Sequence, residues 1–87
     1  MDVEPTDVRV RDQRRRWGSC GANGTIRFNF RLVMAPPDVI DYVVVHELAH
    51  LRVPNHSRAF WDEVGRFVPD YAERRRRLNR LSPRLFI

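Results

Sequence analysis

The chain has 87 residues, which suits one small domain with a modest hydrophobic core. Hydrophobic residues make up 43% of it, and this excludes an intrinsically disordered composition. The net charge is +5, and every basic residue other than histidine is an arginine. This bias indicates a general compositional trend rather than a nucleic-acid patch. The clusters at 14–16 and 74–77 nevertheless keep nucleic acid as an alternative partner.

The cysteine count and the hydropathy pattern bear on location. A single cysteine, Cys20, excludes an intrachain disulfide framework and is typical of a reducing compartment. The sequence has neither a signal-peptide h-region nor an apolar run of membrane-spanning length. We therefore expect a cytoplasmic protein without a membrane partner. The sequence carries no signature of an oligomeric state.

The first third of the chain has the pattern of a small sheet. Residues 1–7 are polar and are expected to be a disordered lead-in to a single domain over 1–87. Residues 8–11 alternate apolar and basic side chains, as a half-buried strand does. A second strand is predicted over 14–19, with Trp17 as its apolar anchor.

A turn and a third strand complete this sheet. The glycines and the asparagine of residues 21–24 are typical of a tight hairpin turn. Residues 25–30 alternate again, with Ile26, Phe28 and Phe30 on one face. The sequence therefore predicts a small antiparallel sheet of two or three strands.

Three helices are predicted after the sheet. Pro37 suits the first helical position of a helix expected over 38–52, and Pro54 ends it. Apolar residues cover most of the circumference of this helix, so it should be buried at the centre of the domain.

The second and third helices follow shorter signals. Ser57 is suited to cap the second helix. Its apolar face is formed by Phe60, Trp61, Val64, Phe67 and Val68. The third helix begins near Tyr71 and is expected to end at 82–83, with the apolar tail 85–87 docked on the body. The fold class predicted is α+β, with a small sheet packed on a central helix that two further helices follow.

The strongest motif lies on the central helix. His46, Glu47 and His50 form the pattern His-Glu-x-x-His, and His56 is the third and last histidine of the chain. Residues four apart share a helix face, so two imidazoles can converge on one ion. The turn at 54–55 should carry the third imidazole back to them. The pattern predicts one zinc ion with an open position for water, although buried core histidines are the alternative.

The other candidate groups surround this motif. Glu47 lies about 100° from His46 around the helix, so it is expected to accept a proton from zinc-bound water rather than bind zinc. Tyr71 is the candidate donor to the oxyanion, and Tyr42 is less favoured because we place it on the far side of the helix. Cys20 is interpreted as a half-buried hydrophobe, with a fourth metal ligand or a redox-active thiol as alternatives. Candidate acceptors for the ligand imidazoles are Asp38, Asp41, Asp62 and Glu63.

Four segments together resemble the YgjP-like zinc metallopeptidase family, which is related to the WLM and SprT-like metalloproteases. They are the block Arg-Trp-Gly-Ser-Cys at 16–20, residues 24–29, the helix at 41–51, and residues 55–61. The resemblance spans about 8–81. It implies a minimal zincin core of gluzincin or metzincin type, with zinc on His46, His50 and His56 and with Glu47 as the base. Family members carry additional β-structure upstream of the 16–20 block. The resemblance also implies that the 16–20 block lies on the sheet near the site, and it assigns no role to this block.

The leading hypothesis is thus a zinc metallopeptidase that acts on a peptide or protein substrate. One alternative is a zinc hydrolase of nucleotide phosphoanhydride bonds, with arginines holding the phosphates. A second is a DNA-associated metalloprotease module. A purely structural zinc site is disfavoured because only three protein ligands are visible.

Overall fold

The computed structural model describes residues 3–11 and 16–85, with side chains up to residue 81. The fold is α+β, as predicted. In chain order, the described elements are strands β1 (Asp7–Arg11), β2 (Gly18–Cys20) and β3 (Thr25–Asn29), a 3-10 helix (Phe30–Met34), and helices α1 (Pro37–Ala49), α2 (Arg58–Phe67) and α3 (Tyr71–Leu85).

The sheet is mixed, with the strand order β1-β3-β2. The β2–β3 pair is antiparallel, as predicted, and the Gly24 N–H closes its turn by donating to the Gly21 carbonyl at 3.0 Å. Gly24 has a φ of 85°, which a glycine adopts without a Cβ penalty. Strand β1 is parallel to β3, so the predicted antiparallel pairing is wrong for this strand. Alternation sets which side chains share a face, and it says nothing about strand direction.

The strand boundaries differ from the predicted ones for local reasons. In the described part of the chain, residues 16 and 17 are not in a strand and β2 begins at Gly18. Residues 14 and 15, the first two of the predicted second strand, lie outside the described residues. The third strand ends at Asn29, because the Asn29 side chain accepts a hydrogen bond from the Arg31 N–H and starts the 3-10 helix. Phe30 is therefore not a strand residue. Within the predicted lead-in, the Thr6 N–H donates to the Gly24 carbonyl at 2.9 Å, beside β1.

Strand β1 is exposed along its whole length, although its alternation predicted half-burial. Val8 and Val10 are 51% and 65% exposed. They occupy the edge of the sheet that lies away from β2, and β2 is the strand against which α1 packs.

Helix α1 is the centre of the domain, as predicted. It contacts α2, α3 and β2, and it buries Val39, Val43 and Ala49 almost completely. It ends at Ala49 rather than at residue 52, because the next backbone N–H groups donate three residues back. The His50 N–H donates to the Glu47 carbonyl, for example. This tightened turn leads directly into residues 53–56.

Helices α2 and α3 cover the remaining sides of α1. Phe60 and Val64 of α2 are fully buried, whereas Phe67 is 39% exposed and lies outside the buried face. Helix α3 continues through the predicted end at 82–83 to Leu85, so the end predicted for this helix is wrong. The predicted docking of 85–87 lies outside the described side chains. No described helix combines the length and the hydropathy needed to cross a membrane.

Candidate metal centre and its cavity

The three histidines converge at one end of α1. His46 and His50 stand one helical turn apart, with ring centroids separated by 5.0 Å. The turn after α1 returns His56, whose ring lies 4.7 Å from that of His50. One nitrogen from each residue lies within 4.8 Å of the others. These three residues can therefore hold one metal ion.

Two of the three donor atoms have the spacing found in a tetrahedral metal centre. Zinc–nitrogen bonds of about 2.0–2.1 Å place neighbouring ligand atoms roughly 3.3 Å apart in a tetrahedral site. The Nε2 atoms of His50 and His56 are 3.2 Å apart. Their spacing is already the one that a shared ion requires.

Each helical histidine has a partner on its other ring nitrogen. The Nδ1–H of His50 donates to the Val53 carbonyl at 3.1 Å, which leaves Nε2 unprotonated for a metal. The Nδ1 atom of His46 lies 3.2 Å from the Tyr42 hydroxyl oxygen. The predicted placement of Tyr42 on the far side of the helix is therefore wrong. Residues 42 and 46 are four apart and share a face, so the spacing contained this signal.

Aromatic side chains enclose the imidazoles. Phe60 is fully buried, and its ring stacks on that of His50 at 4.3 Å and meets that of His46 edge-on at 5.0 Å. Burial, followed by the neighbouring histidines, lowers the pKa of His46 to about 4. The imidazole is therefore neutral at physiological pH, which is the form that binds a metal.

Glu47 projects from α1 toward the sheet and is only 6% exposed. It lies against β2 at Gly18, where the methyl group of an alanine would come within 3.1 Å of both Cγ and Oε2 of the glutamate. Burial raises the pKa of Glu47 to about 7, and the positive charge of Arg16 opposes this rise. A carboxyl group with this pKa can both accept and return a proton near neutral pH.

A cavity of about 780 Å³ joins these groups. One wall is formed by α1 and the turn after it, through His46, Glu47, His50, Leu51, Pro54 and His56. The opposite wall is formed by β2 and its hairpin, through Arg16, residues 18–22 and Gly24. The 16–20 block therefore lies across the cavity from the histidines.

The remaining candidates take other positions. Tyr71 stacks on Trp61, with ring centroids 5.2 Å apart, and it is not among the described residues that line the cavity. Cys20 lines the cavity half-buried, and burial raises the pKa of its thiol. Within the described residues, the group able to hold a metal contains the three histidines and not Cys20.

Three of the acidic residues predicted as acceptors for the imidazoles pair with arginines instead. Asp38 bonds Arg77. Asp62 and Glu63 pair with Arg58 and Arg66 at 3.9 and 3.1 Å. The sequence-based interpretation missed the actual partners, Tyr42 and the Val53 carbonyl. The carbonyl had no sequence signal, because it depends on the geometry of the turn.

The three imidazoles that converge beside a buried carboxylate are a donor set for a metal ion, and the family comparison places the chain among the metallopeptidases. It belongs to the YgjP-like family, whose metallopeptidase domain matches residues 1–81. The fold is also similar to the crystal structure of the metallopeptidase zymogen of Pyrococcus abyssi abylysin, with 27% sequence identity and a TM-score of 0.77. That match covers 86% of this chain and 77% of the abylysin chain. A comparison with curated proteins gives no match.

Proposed function

We propose that this metallopeptidase is zinc-dependent, with one zinc ion held by His46, His50 and His56 and with Glu47 as the general base. The observation that carries the proposal is the convergence of the three imidazoles at the cavity that the buried Glu47 also lines. Three protein ligands are typical of a catalytic zinc site, whereas structural zinc sites have four. The substrate class that follows from the family is a peptide or protein.

The protein groups have separate tasks in this mechanism. A zinc ion held by the three histidines would supply Lewis-acid chemistry toward a carbonyl oxygen and would lower the pKa of a water molecule to about 7. Glu47 accepts a proton from the water that attacks the peptide carbonyl carbon, and it returns that proton to the leaving nitrogen. Tyr42 and the Val53 carbonyl hold the rings of His46 and His50 in fixed orientations. The apolar surroundings of Glu47 keep its pKa high enough for both proton transfers.

The two other predicted functions have less support. Enzymes that cleave phosphoanhydrides surround the phosphates with several cationic groups, and Arg16 is the only arginine among the described cavity residues. The arginine run of α3 is partly occupied, since Arg74 bonds Asp70 and Arg77 bonds Asp38. The DNA-associated module stays a prediction.

The test compares Glu47→Gln with Glu73→Gln, a matched change at an exposed glutamate of α3. Elemental analysis should find one zinc per chain in both variants and in the wild type. Glu47→Gln should lower the kcat for a casein-derived peptide by about 10²–10⁴-fold, the usual contribution of a general base. Glu73→Gln should leave kcat unchanged.

Two results would contradict the proposal. Hydrolysis by Glu47→Gln at the wild-type rate would remove the base assignment. Hydrolysis that persists after a chelator has removed all metal, as checked by elemental analysis, would remove the zinc assignment. A parallel assay with nucleoside triphosphates distinguishes the phosphoanhydride alternative.

A further inference from the structure

The 16–20 block supplies a wall of the cavity, and its first residue is charged. Arg16 is the only described cavity residue with a permanent positive charge, and Glu47 is the only described carboxylate there. The arginine is exposed, and its charge attracts the Glu47 carboxylate without forming an ion pair with it. The guanidinium therefore keeps its N–H donors available to a molecule in the cavity.

A buried side chain fixes the backbone that carries this arginine. Asn29 is only 1% exposed, and its Nδ2–H donates to the Arg16 carbonyl at 2.9 Å. The Asn29 backbone N–H donates to the Trp17 carbonyl, also at 2.9 Å. A buried amide whose hydrogen bonds are satisfied holds the local backbone in one place. Arg16 thus projects from a fixed point on the cavity rim.

Two arginines of α3 have structural partners. Arg74 donates to Asp70 and to the Asp38 carbonyl, and Arg77 bonds the Asp38 carboxylate. The charge of an arginine that has a carboxylate partner is already balanced by that partner within the protein. Arg16 has no carboxylate partner among the described residues.

We propose that Arg16 determines substrate specificity by binding a carboxylate group of the peptide in the cavity. A guanidinium matches a carboxylate with two parallel N–H···O bonds, and no other described cavity residue offers that fork. This inference rests on the proposed peptidase function. The carboxylate can belong to an aspartate or glutamate side chain or to the C-terminus of the peptide, and the recognition chemistry is the same.

The size of the cavity limits where this carboxylate lies. A volume of 780 Å³ corresponds to a width of roughly 9 Å, which two to three extended residues span at about 3.3–3.6 Å each. Glu47 and Arg16 share this space. The recognised carboxylate is therefore within about two residues of the cleaved bond.

The experiment uses the zinc-loaded full chain and a neutral fluorogenic peptide whose cleavage site has been mapped by mass spectrometry. Glutamate and its isostere glutamine are placed in turn at each of the three positions on either side of the bond. A second pair of peptides ends in a free carboxylate or an amide two residues past the bond. The variants are Arg16→Gln, Arg16→Lys and the charge-matched control Arg76→Gln, which removes an exposed arginine of α3.

For the wild type, one carboxylate peptide should have a kcat/KM about 10- to 100-fold above that of its neutral isostere, the usual worth of a charge-assisted pair. Arg16→Gln should abolish this preference, chiefly by raising KM for the carboxylate peptide. The lost charge also acts on Glu47, but it does so for both peptides alike and leaves their ratio unaffected. Arg16→Lys should retain part of the preference, and Arg76→Gln should retain all of it. The glutamate pairs and the terminal pair show which source of carboxylate is used.

Several outcomes would overturn the proposal. A wild type that does not distinguish the paired peptides would remove the subsite. An equal loss of kcat on acidic and neutral peptides in Arg16→Gln would show that the arginine acts on the reacting groups instead. An Arg16→Gln variant that still preferred the carboxylate peptide over its neutral isostere as strongly as the wild type would show that Arg16 is an ordinary surface residue.

A binding measurement separates this inference from the proposed function. Fluorescence anisotropy compares labelled acidic and neutral peptides on zinc-loaded Glu47→Gln and on the double variant Arg16→Gln/Glu47→Gln. Preferential binding of the acidic peptide that is lost with Arg16 would support the subsite even if the wild type hydrolysed no peptide. Equal binding of both peptides would overturn it, whatever the outcome for turnover.

Discussion

Gly18 provides the sharpest test of how the sheet serves the catalytic helix. The backbone of β2 approaches the Glu47 side chain closely, so a methyl group at Gly18 would press against that side chain. An alanine Cβ at this position would lie 3.1 Å from both Cγ and Oε2 of Glu47 and 3.2 Å from the Arg27 carbonyl oxygen. The Arg27 carbonyl belongs to the neighbouring strand of the sheet, so the Glu47 side chain is the part that yields.

The expected displacement follows from these distances. Ordinary van der Waals contacts lie at 3.4–4 Å, so Glu47 must give way by a few tenths of an ångström. Misplacing a catalytic group by about 1 Å costs roughly 100-fold in rate. We therefore expect Gly18→Ala to lower kcat by about 3- to 10-fold. Overpacking should also lower the free energy of unfolding by about 1–3 kcal/mol.

The metal site should be affected much less than the rate. The three atoms nearest the new methyl group belong to Glu47 and Arg27, and none belongs to a ligand histidine. Zinc affinity, measured by competition with a chromophoric chelator, should stay within about threefold of the wild type. Steady-state kinetics on the same preparations then separates kcat from KM.

Gly65→Ala is the matched control for the same substitution. A methyl group at Gly65 meets the Tyr71 ring at 3.5 Å, an ordinary contact, and lies within helix α2. The variant should gain about 0.5–1 kcal/mol of stability and keep its activity. If Gly18→Ala bound zinc and remained folded while its kcat stayed within about twofold of the wild type, the close seating of Glu47 against β2 would have no role in catalysis.

Three further predictions concern the metal site. His56→Ala should lower zinc affinity by more than about 100-fold in a chelator competition. The reason is that even the loss of a residue that only hydrogen-bonds a ligand costs about 10–100-fold. Unchanged affinity would remove His56 from the ligand set. Tyr42→Phe should lower zinc affinity about 10-fold through the freed Nδ1 of His46, and an unaltered affinity would show that the hydroxyl does not orient the ring. The third concerns pH in the metal-free protein. The stability contributed by Glu47, with its pKa raised from 4.5 to about 7, is complete below pH 4.5 and lost as the pH rises to 7. The stability contributed by His46, with its pKa lowered from 6.5 to about 4, is complete above pH 6.5 and lost as the pH falls to 4. Each of these two contributions is worth about 3 kcal/mol. Between about pH 4.5 and 6.5, urea unfolding should therefore show a stability that rises with pH by about 3 kcal/mol more in Glu47→Gln than in the wild type. Equal slopes for the two proteins would contradict the assignment.

The sequence predicted what depends on local spacing. The period of α1 predicted that His46 and His50 share a face, and the break at Pro54 predicted that the chain turns back with His56. The hairpin between β2 and β3 followed from the turn residues 21–24. Each of these relations involves residues close together along the chain, so local geometry determines them.

The features that the sequence did not predict depend on distant parts of the chain. Whether β1 runs parallel or antiparallel to β3 depends on the path of the chain between β1 and β2, and alternation in 8–11 is the same in both cases. Phe30 fits the alternation of the third strand, but it lies in the 3-10 helix, because the Asn29 side chain accepts a hydrogen bond from the Arg31 N–H and ends the strand. Tyr42 is a different case, because its spacing of four residues from His46 predicts that the two side chains share a helix face. The prediction that Tyr42 lies on the far side of the helix disregarded this spacing.

The contribution of β2 to the site is the most consequential of these long-range relations. Helix α1 and the turn after it bring together the three histidines of the proposed metal site. A helix surface alone would leave Glu47 exposed to water with an ordinary pKa. Packing β2 across from α1 buries this carboxylate, raises its pKa to about 7 and closes a cavity around it. The same strand brings Arg16 to the cavity rim, held there by Asn29. Substitutions in the 16–20 block should therefore alter turnover and substrate preference while zinc binding persists, and substitutions at the histidines should abolish both together.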